Sequence, residues 1–470
     1  MDLRNKRVTV VGLGNSGINS ALLLEKQGAI VSATDSGWNE TVKENAKLLE
    51  SRFVDLEIGR HTESFLNETE LIVVSPGVEK SALPLRYAEK NNIPVISELE
   101  LGYNYCEGRI VAVTGTNGKS TVVSLIGEIL RQADRHVNVC GNIGNAFTGE
   151  IENIKKETIV VLEISSFQLE DIVSFRPMIS VILNIAEDHL DRYKEFDEYI
   201  CAKKRIFLNQ KKGDVTVLNY DDEHLKRLPL SGKFLPKVHY FSCSGKVKSG
   251  IYVDGNTIMT SLGGKDRQLF KIGDYSLKGR HNRENVLAAA LVATLLGVDS
   301  RTIENAVRNF TPLAHRFQLI GTVSGIEFID DSKATNIHST DRALRSVEKP
   351  AILIAGGKDK GLTYESIVPV VKEKVKMMVL IGETKKRMSD IFKNIVPVEE
   401  KATLEEATRA AYKSASKGDC VLLSPMCSSF DMFRNYKHRG EVFCGAVREL
   451  EADGSVHDKN SRRNTRSHTR

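Results

Sequence analysis

Short, almost continuous apolar runs alternate along this chain with stretches whose apolar positions recur at helical spacing. RVTVVGLG (7–14) predicts a strand, SGINSALLLEKQG (16–28) a helix closed by Gly28, and AIVSATD (29–35) a second strand. ELIVVSPGV (70–78) and IPVISE (93–98) predict two more. The pattern then restarts, with RIVAVTGTNGKSTVVSLIGEILRQA (109–133) reading as strand, glycine loop and helix. The strand-like TIVVLEIS (158–165) and ISVILNI (179–185) follow, and later the helix ENVLAAALVATLLG (284–297). A third restart near FTPLAHRFQ (310–318) carries the strands AILIAGG (351–357), MMVLIGE (377–383) and DCVLLSP (419–425). Strands alternating with helices at this spacing imply parallel, doubly wound sheets. The expected fold class is therefore α/β in three domains, 1–99, 100–312 and 313–450. Residues 231–260, with short strands and frequent glycine, read as an antiparallel excursion within the second domain. Residues 451–470 are polar, basic and aperiodic, which predicts a disordered tail.

Composition narrows the class. The chain has 470 residues, 41% of them hydrophobic and 27% charged, as in soluble globular proteins. Its formal charge of +5 sits partly in the tail KNSRRNTRSHTR, leaving no basic field of the kind that nucleic acid requires. The longest apolar stretch, AAALVATLLGV (288–298), falls well short of the ~18 residues that span a bilayer. The seven cysteines are scattered, with no Cys-x-x-Cys pair, which predicts reduced thiols rather than disulfides or a structural zinc site. The charged start and the early glycines argue against a signal peptide. These features predict a cytoplasmic protein.

Two glycine loops carry the chemistry. In VVGLGNSG, Gly12, Gly14 and Gly17 permit a tight turn and close backbone approach, and the helix that follows favours an anion at its N-terminus. Asp35 ends the second strand, where an acid meets a ribose hydroxyl. The pattern recognises a diphosphate next to a ribose, so both a nicotinamide dinucleotide and a UDP-sugar fit it. In AVTGTNGKST, Gly115 and Gly118 free backbone N–H groups for phosphates, Lys119 reaches the β/γ oxygens, and Ser120 or Thr121 offers a hydroxyl to Mg²⁺. Further along, Glu163 ends a strand, His189 stands beside Asp188 and Asp191, and Lys203, Lys204 and Arg205 form a basic cluster. Asn282 and Asn285 lie one helical turn apart, on one face. DDSKATN (330–336) and AGGKDKG (355–361) follow strand-like runs, as ligand loops of α/β domains do.

The loop T-G-T-N-G-K-S-T, with two residues between its glycines rather than four, resembles that of the Mur ligase superfamily. EISSFQLE, AEDHLDRY, LAHRFQ, DDSKATN and LLSPMCSSFDMFRNYKHRGEVF extend the resemblance from residue 8 to about 450. It implies a Rossmann-like UDP-binding domain, a central P-loop ATPase-like domain and a C-terminal Rossmann-like domain. The implied activity is ATP-dependent addition of D-glutamate to UDP-N-acetylmuramoyl-L-alanine in peptidoglycan precursor synthesis, by a monomer. Gly115, Thr116, Asn117, Gly118, Lys119, Ser120 and Thr121 would hold the ATP phosphates, with Asn282, Asn285, Arg316, Asp331 and Lys333 on the rest of the nucleotide. Lys119, Glu163, His189 and Lys203 would be catalytic. Ser120 and Glu163 would ligate one Mg²⁺, and His189 with a carbamylated Lys203 would serve a second. Asn15, Ser16, Asp35, Ser36, Ser75, Gly77, Asn142 and Gln168 would meet the muramyl substrate. Thr335, Lys360, Ser429, Phe430 and Tyr436 would form the D-glutamate pocket. Gly37 stands where some relatives carry an arginine near the uracil.

Overall fold

The structure, a computed structural model, describes residues 1–189, 192–226, 228, 236–273, 277 and 279–464, the last twelve of these by backbone alone. Asp191 therefore lies outside the described residues. The chain divides into two compact units, one of 1–185, 195–276 and 282–310, the other of 186–194, 277–281 and 311–470. The first carries two sheets and the second carries one.

The N-terminal sheet contains β1 (Arg7–Val11), β2 (Ile30–Asp35), β3 (Asp55–Ile58), β4 (Leu71–Val74) and β5 (Val95–Ser97). All are parallel, in the order β3-β2-β1-β4-β5. The chain winds outward from β1 in both directions, so a crevice opens at the carboxyl ends of β1 and β4, the position where such sheets bind ligands. β3 carries no apolar run, only DLEI beside β2, and the hydrophobic pattern did not announce it.

The middle sheet contains β6 (Arg109–Thr114), β7 (Val137–Gly141), β8 (Ile159–Glu163), β9 (Ile179–Ile182), β10 (Val215–Asn219), β11 (Lys237–Ser242), β12 (Gly250–Asp254), β13 (Thr257–Thr260) and β14 (Arg267–Lys271). Their order is β14-β13-β12-β11-β10-β9-β6-β8-β7. β8 and β9 are buried along their whole length, as expected of parallel strands covered on both faces. The expected antiparallel excursion begins later than the glycine pattern suggested. β11 and β12 still pair in parallel, and only β13 and β14 reverse. Gly250 permits the β11–β12 pairing, because a Cβ there would lie 1.8 Å from the Tyr240 carbonyl oxygen.

The helix Glu98–Tyr105 joins the two sheets and straddles the expected boundary at residue 99. Its Glu100 carboxylate is buried and accepts from the backbone N–H groups of Val173, Ser174 and Phe175, at 3.0, 2.8 and 2.9 Å, and from the Ser174 hydroxyl. Bonds to an ionised group contribute roughly 1.5–3 kcal/mol each, so this carboxylate is a principal tie inside the first unit.

The second unit contains β15 (Gln318–Val323), β16 (Ile326–Asp330), β17 (Ala351–Gly356), β18 (Val375–Ile381), β19 (Val398–Glu400) and β20 (Cys420–Leu423), in the order β15-β16-β20-β17-β18-β19. Only β15 is antiparallel to its neighbour. Alternate residues of β17 serve two cores, with Leu353 and Ala355 on one face and Ile352 and Ile354 on the other. Segments 186–194 and 277–281, expected in the central domain, belong to this unit. Asp188 explains the first, through its ion pair with Lys360 at 3.1 Å. His281 bears on the second, with Ser346 Oγ at 3.3 Å and its ring edge against Phe317.

The final helix runs Tyr436–Asn464. Among the described residues no helix is long and apolar enough to cross a membrane.

Gly17 marks the tightest approach in the N-terminal sheet, since a Cβ there would stand 1.8 Å from the Gly12 carbonyl oxygen. Gly17→Ala is expected to destabilise the protein by ~1–3 kcal/mol, the usual cost of forcing backbone apart. Urea denaturation followed by circular dichroism measures it. An unchanged midpoint would show that the helix Asn15–Lys26 can shift without loss.

Candidate active site

Two helices of the first unit start on a glycine with no side chain capping them. Gly14 precedes the helix Asn15–Lys26, and Gly118 precedes the helix Lys119–Gln132. Elsewhere Asn39, Ser97, Ser165, Asp299, Asn336 and Thr403 supply caps. An uncapped N-terminus leaves backbone N–H groups and the positive end of the helix dipole for an anion.

The first of these N-termini opens on a cavity of about 800 Å³. All eight residues expected to meet the muramyl substrate line it: Asn15, Ser16, Asp35, Ser36, Ser75, Gly77, Asn142 and Gln168. The lining also includes His61, Glu79, Gly141 and Gly144, which sequence reasoning did not single out. Asp35 holds the turn together, its carboxylate accepting from Leu13 N–H and Gly37 N–H, each at 2.7 Å. Ser75 Oγ donates to the Gly12 carbonyl at 2.8 Å, tying the β4 end to the glycine turn.

The second N-terminus belongs to the phosphate loop. Gly115 and Gly118 take φ of +150° and +86°, values that favour glycine. A Cβ on Gly118 would stand 2.3 Å from Asn285 Oδ1, so the Asn282–Asn285 face sits directly against the loop. Asn285 Nδ2 donates to Asn282 Oδ1 at 3.2 Å. Asn184 fixes the loop from beneath. Its Oδ1 accepts from Asn117 N–H at 2.9 Å, its Nδ2 donates to the Asn117 carbonyl at 3.0 Å, and its own carbonyl accepts from Thr116 N–H at 2.9 Å. Sequence reasoning passed over Asn184, whose signal was an amide at the end of an otherwise apolar strand. Lys119 Nζ donates to the carbonyls of Gly115 and Thr116, both at 2.8 Å. Lys203 is 1% exposed, donates to the Gly115 carbonyl at 3.0 Å and lies 4.5 Å from the centre of the Tyr199 ring.

Glu163 is 2% exposed at the end of β8. Oε1 accepts from Asn142 Nδ2 at 2.9 Å, while Oε2 is buried and makes no hydrogen bond. A buried carboxylate oxygen without a donor costs several kcal/mol unless something positive meets it. A hard divalent cation with oxygen ligands fits that need.

In the second unit, His189 has a φ of +57°, and its N–H donates to Asp188 Oδ1 at 3.0 Å. Asp188 also takes Lys360 Nζ at 3.1 Å and Asn336 Nδ2 at 2.9 Å. Burial opposes its ionisation, yet Lys360, His189 and Asn336 outweigh that and hold its pKa at about 2. Lys360, expected to face glutamate, thus already has a carboxylate partner. Thr335 and Lys333 lie on the loop after β16, where Lys333 Nζ stands 4.0 Å from the centre of the Tyr436 ring. Ser429 is buried and Phe430 is 68% exposed.

Arg439 joins these loops and was not foreseen from the sequence. It is fully buried. Its guanidinium donates to Ser332 Oγ at 3.0 Å, to the Ser332 carbonyl at 2.8 Å and to the Cys427 carbonyl at 3.1 Å. Burial lowers its pKa to about 10, so it stays charged at neutral pH. Asp330 accepts from His315 Nδ1 at 2.7 Å and, more weakly, from Cys444 Sγ at 3.6 Å. These three groups satisfy one another.

Three family models match the chain: "Mur ligase MurD-like, N-terminal domain" at residues 6–97, "Mur ligase middle domain" at 113–293 and "Mur ligase, glutamate ligase domain" at 315–427. The chain is 40% identical over 454 residues to the UDP-N-acetylmuramoylalanine–D-glutamate ligase of Thermoanaerobacter sp. (strain X514), covering 96% of this chain and 100% of that protein. It is 41% identical over 458 residues to the ligase of the same name from Caldicellulosiruptor bescii, covering 97% and 100%. Among solved structures it is similar to the UDP-N-acetylmuramate-alanine ligase of Thermotoga maritima, with a TM-score of 0.57 and 17% identity over 94% of this chain and 99% of that one. A pseudomurein peptide ligase type C from Methanothermus fervidus gives a TM-score of 0.56 at 20% identity, over 89% and 96%. At those identities the structural likeness speaks for the fold alone.

Asp331 generates a prediction about stability. Burial raises its pKa to about 7, against the opposing bonds from Ser424 Oγ at 3.0 Å and Phe317 N–H at 3.1 Å. The unfolded carboxyl ionises near pH 4 and the folded one near pH 7, so stability falls as pH rises through that window and then levels off. The penalty reaches about 4 kcal/mol at three pKa units. Asp331→Asn removes it, and its unfolding free energy relative to the parent chain is expected to rise between pH 5 and pH 8. A difference that does not change with pH would show that Asp331 is ionised throughout.

Proposed function

The chain belongs to the Mur ligase family, and we propose that it joins the amine of D-glutamate to the alanine carboxylate of UDP-N-acetylmuramoyl-L-alanine, using ATP. The observation that carries this reading is the pair of uncapped glycine N-termini in the first unit. One opens on a cavity sized for a nucleotide sugar, and the other is a phosphate loop beside a buried carboxylate with a free oxygen. A dehydrogenase reading accounts for the first and leaves the second without a purpose.

Amide formation from a carboxylate is uphill because the carbonyl is a poor electrophile. In the proposed reaction the alanine carboxylate oxygen attacks the γ-phosphorus of ATP and ADP leaves, giving an acyl phosphate. The free amine of D-glutamate then adds to that carbonyl. The tetrahedral intermediate expels phosphate and loses a proton to give the amide. The residues of this chain bind and orient. Gly115 to Thr121 receive the phosphates, and Lys119, once released from the Gly115 and Thr116 carbonyls, offsets charge on the transferred group. Ser120 and Glu163 would hold Mg²⁺, which when bound neutralises phosphate charge. In the second unit Thr335, Lys360, Ser429, Phe430 and Tyr436 are proposed to receive D-glutamate. Lys360 would exchange its Asp188 partner for a substrate carboxylate or share itself between the two.

Phosphate release by the purified protein with UDP-N-acetylmuramoyl-L-alanine and ATP is expected with D-glutamate and not with L-alanine or diaminopimelate. Lys119→Ala is expected to abolish that release while UDP-substrate affinity stays within about twofold, because the cavity and the phosphate loop are separate sites. Release driven by another amino acid would overturn the substrate assignment.

Lys203 is proposed to work as its carbamate. The deprotonated amine adds to CO₂ and a proton leaves, turning a cation into an anion with two oxygens, which suits Mg²⁺. Lys203→Ala should then lose most activity, with partial recovery in millimolar acetate or formate and none in short amines. Rescue by amines alone would mean that the side chain acts as a cation.

A further inference from the structure

We infer that Trp38 is the stacking platform for the nucleobase of the substrate in the N-terminal cavity, an inference that rests on the UDP reading of that cavity.

In a crevice of this topology the diphosphate lies at the helix N-terminus after β1 and the acid ending β2 takes the ribose. Those positions are Gly14–Ser16 and Asp35, and both line the cavity. The base must then continue past Asp35, over the loop that leaves β2. That loop is Ser36-Gly37-Trp38-Asn39, and Ser36 is itself part of the lining. Both ends of the loop are fixed. Gly37 N–H donates to Asp35 Oδ1 at 2.7 Å, and Asn39 Oδ1 accepts from Val42 N–H at 3.0 Å to cap the helix Glu40–Glu50. Trp38 is held between these two anchors.

The side chain it presents is out of place for a structural residue. Tryptophan is on average among the more buried side chains, yet Trp38 is 64% exposed. Lys43 Nζ lies 5.6 Å from its ring centre, which orients the indole by a cation–π contact without covering it. An exposed aromatic face two residues past Ser36, which lines the cavity, is a surface on which a base ring stacks. The indole face accepts any base, so Trp38 supplies affinity and direction rather than the choice of uracil.

Trp38 is the only tryptophan in the chain, so intrinsic fluorescence reports on this position alone. UDP titrated into the full-length protein is expected to change that fluorescence saturably, whereas ribose 5-phosphate at the same concentrations should not. Calorimetric titration with UDP is expected to show affinity about tenfold weaker in Trp38→Ala and largely restored in Trp38→Phe. The KM for the UDP substrate should rise in step, while the KM for ATP should not. UDP binding to Trp38→Ala within twofold of the parent, with no fluorescence response in the parent, would overturn the stacking role and leave the ligase reading intact. Failure of UDP to bind the parent protein at all would overturn the ligand reading of the cavity, and the role of Trp38 with it.

Discussion

A strand that ends on glycine and turns at once into an uncapped helix recurs in the first unit, and the site depends on it. Ser, Thr, Asn and Asp cap six other helices. Gly14 and Gly118 place no side-chain oxygen over the helix N-terminus, so no cap competes there with an anion. Each turn is held by an amide or carboxylate from a neighbouring strand end, Asp35 for the first and Asn184 for the second. The glycines make the approach possible, and these polar groups make it reproducible.

The second unit solves a related problem with one cation. Two loops leave the sheet, one after β16 and one after β20. Arg439 enters between them and donates to the Ser332 hydroxyl and carbonyl on one side and to the Cys427 carbonyl on the other. An arginine in that position satisfies several carbonyls with one rigid fork, where a lysine would offer a point charge. Removing it would leave those carbonyls buried without donors, a cost of about 1–3 kcal/mol for each.

The parts of this molecule that the sequence made legible are those with local signals. β1, β2, β6 and β17 stood out as apolar runs, and the glycine loops after β1 and β6 were visible from spacing alone. The eight residues that the Mur ligase resemblance implied for the muramyl substrate line one cavity. What stayed hidden depends on partners distant in the chain. Asp188 joins the second unit through Lys360 and Asn336, far along the sequence, and nothing in AEDHLDR signals that. Asn184 and Arg439 look like ordinary polar residues until the loops they hold are folded over them. β3 is ordered by its ladder with β2 and by Leu56 and Ile58, which pack against the core.

Glu163 connects the two halves of the first unit's chemistry. Its Oε1 is bound by Asn142, which lines the cavity proposed for the UDP substrate, while its Oε2 waits in a buried position near the end of β8. The same carboxylate therefore touches the wall of one site and offers an oxygen to the ion proposed at the other. Gly141, just before Asn142, sits where a Cβ would come 2.5 Å from the Glu163 carbonyl oxygen, so the backbone of β7 and β8 is packed as closely as geometry allows there. Asn142 thus satisfies one of the two Glu163 oxygens and leaves the other buried without a donor.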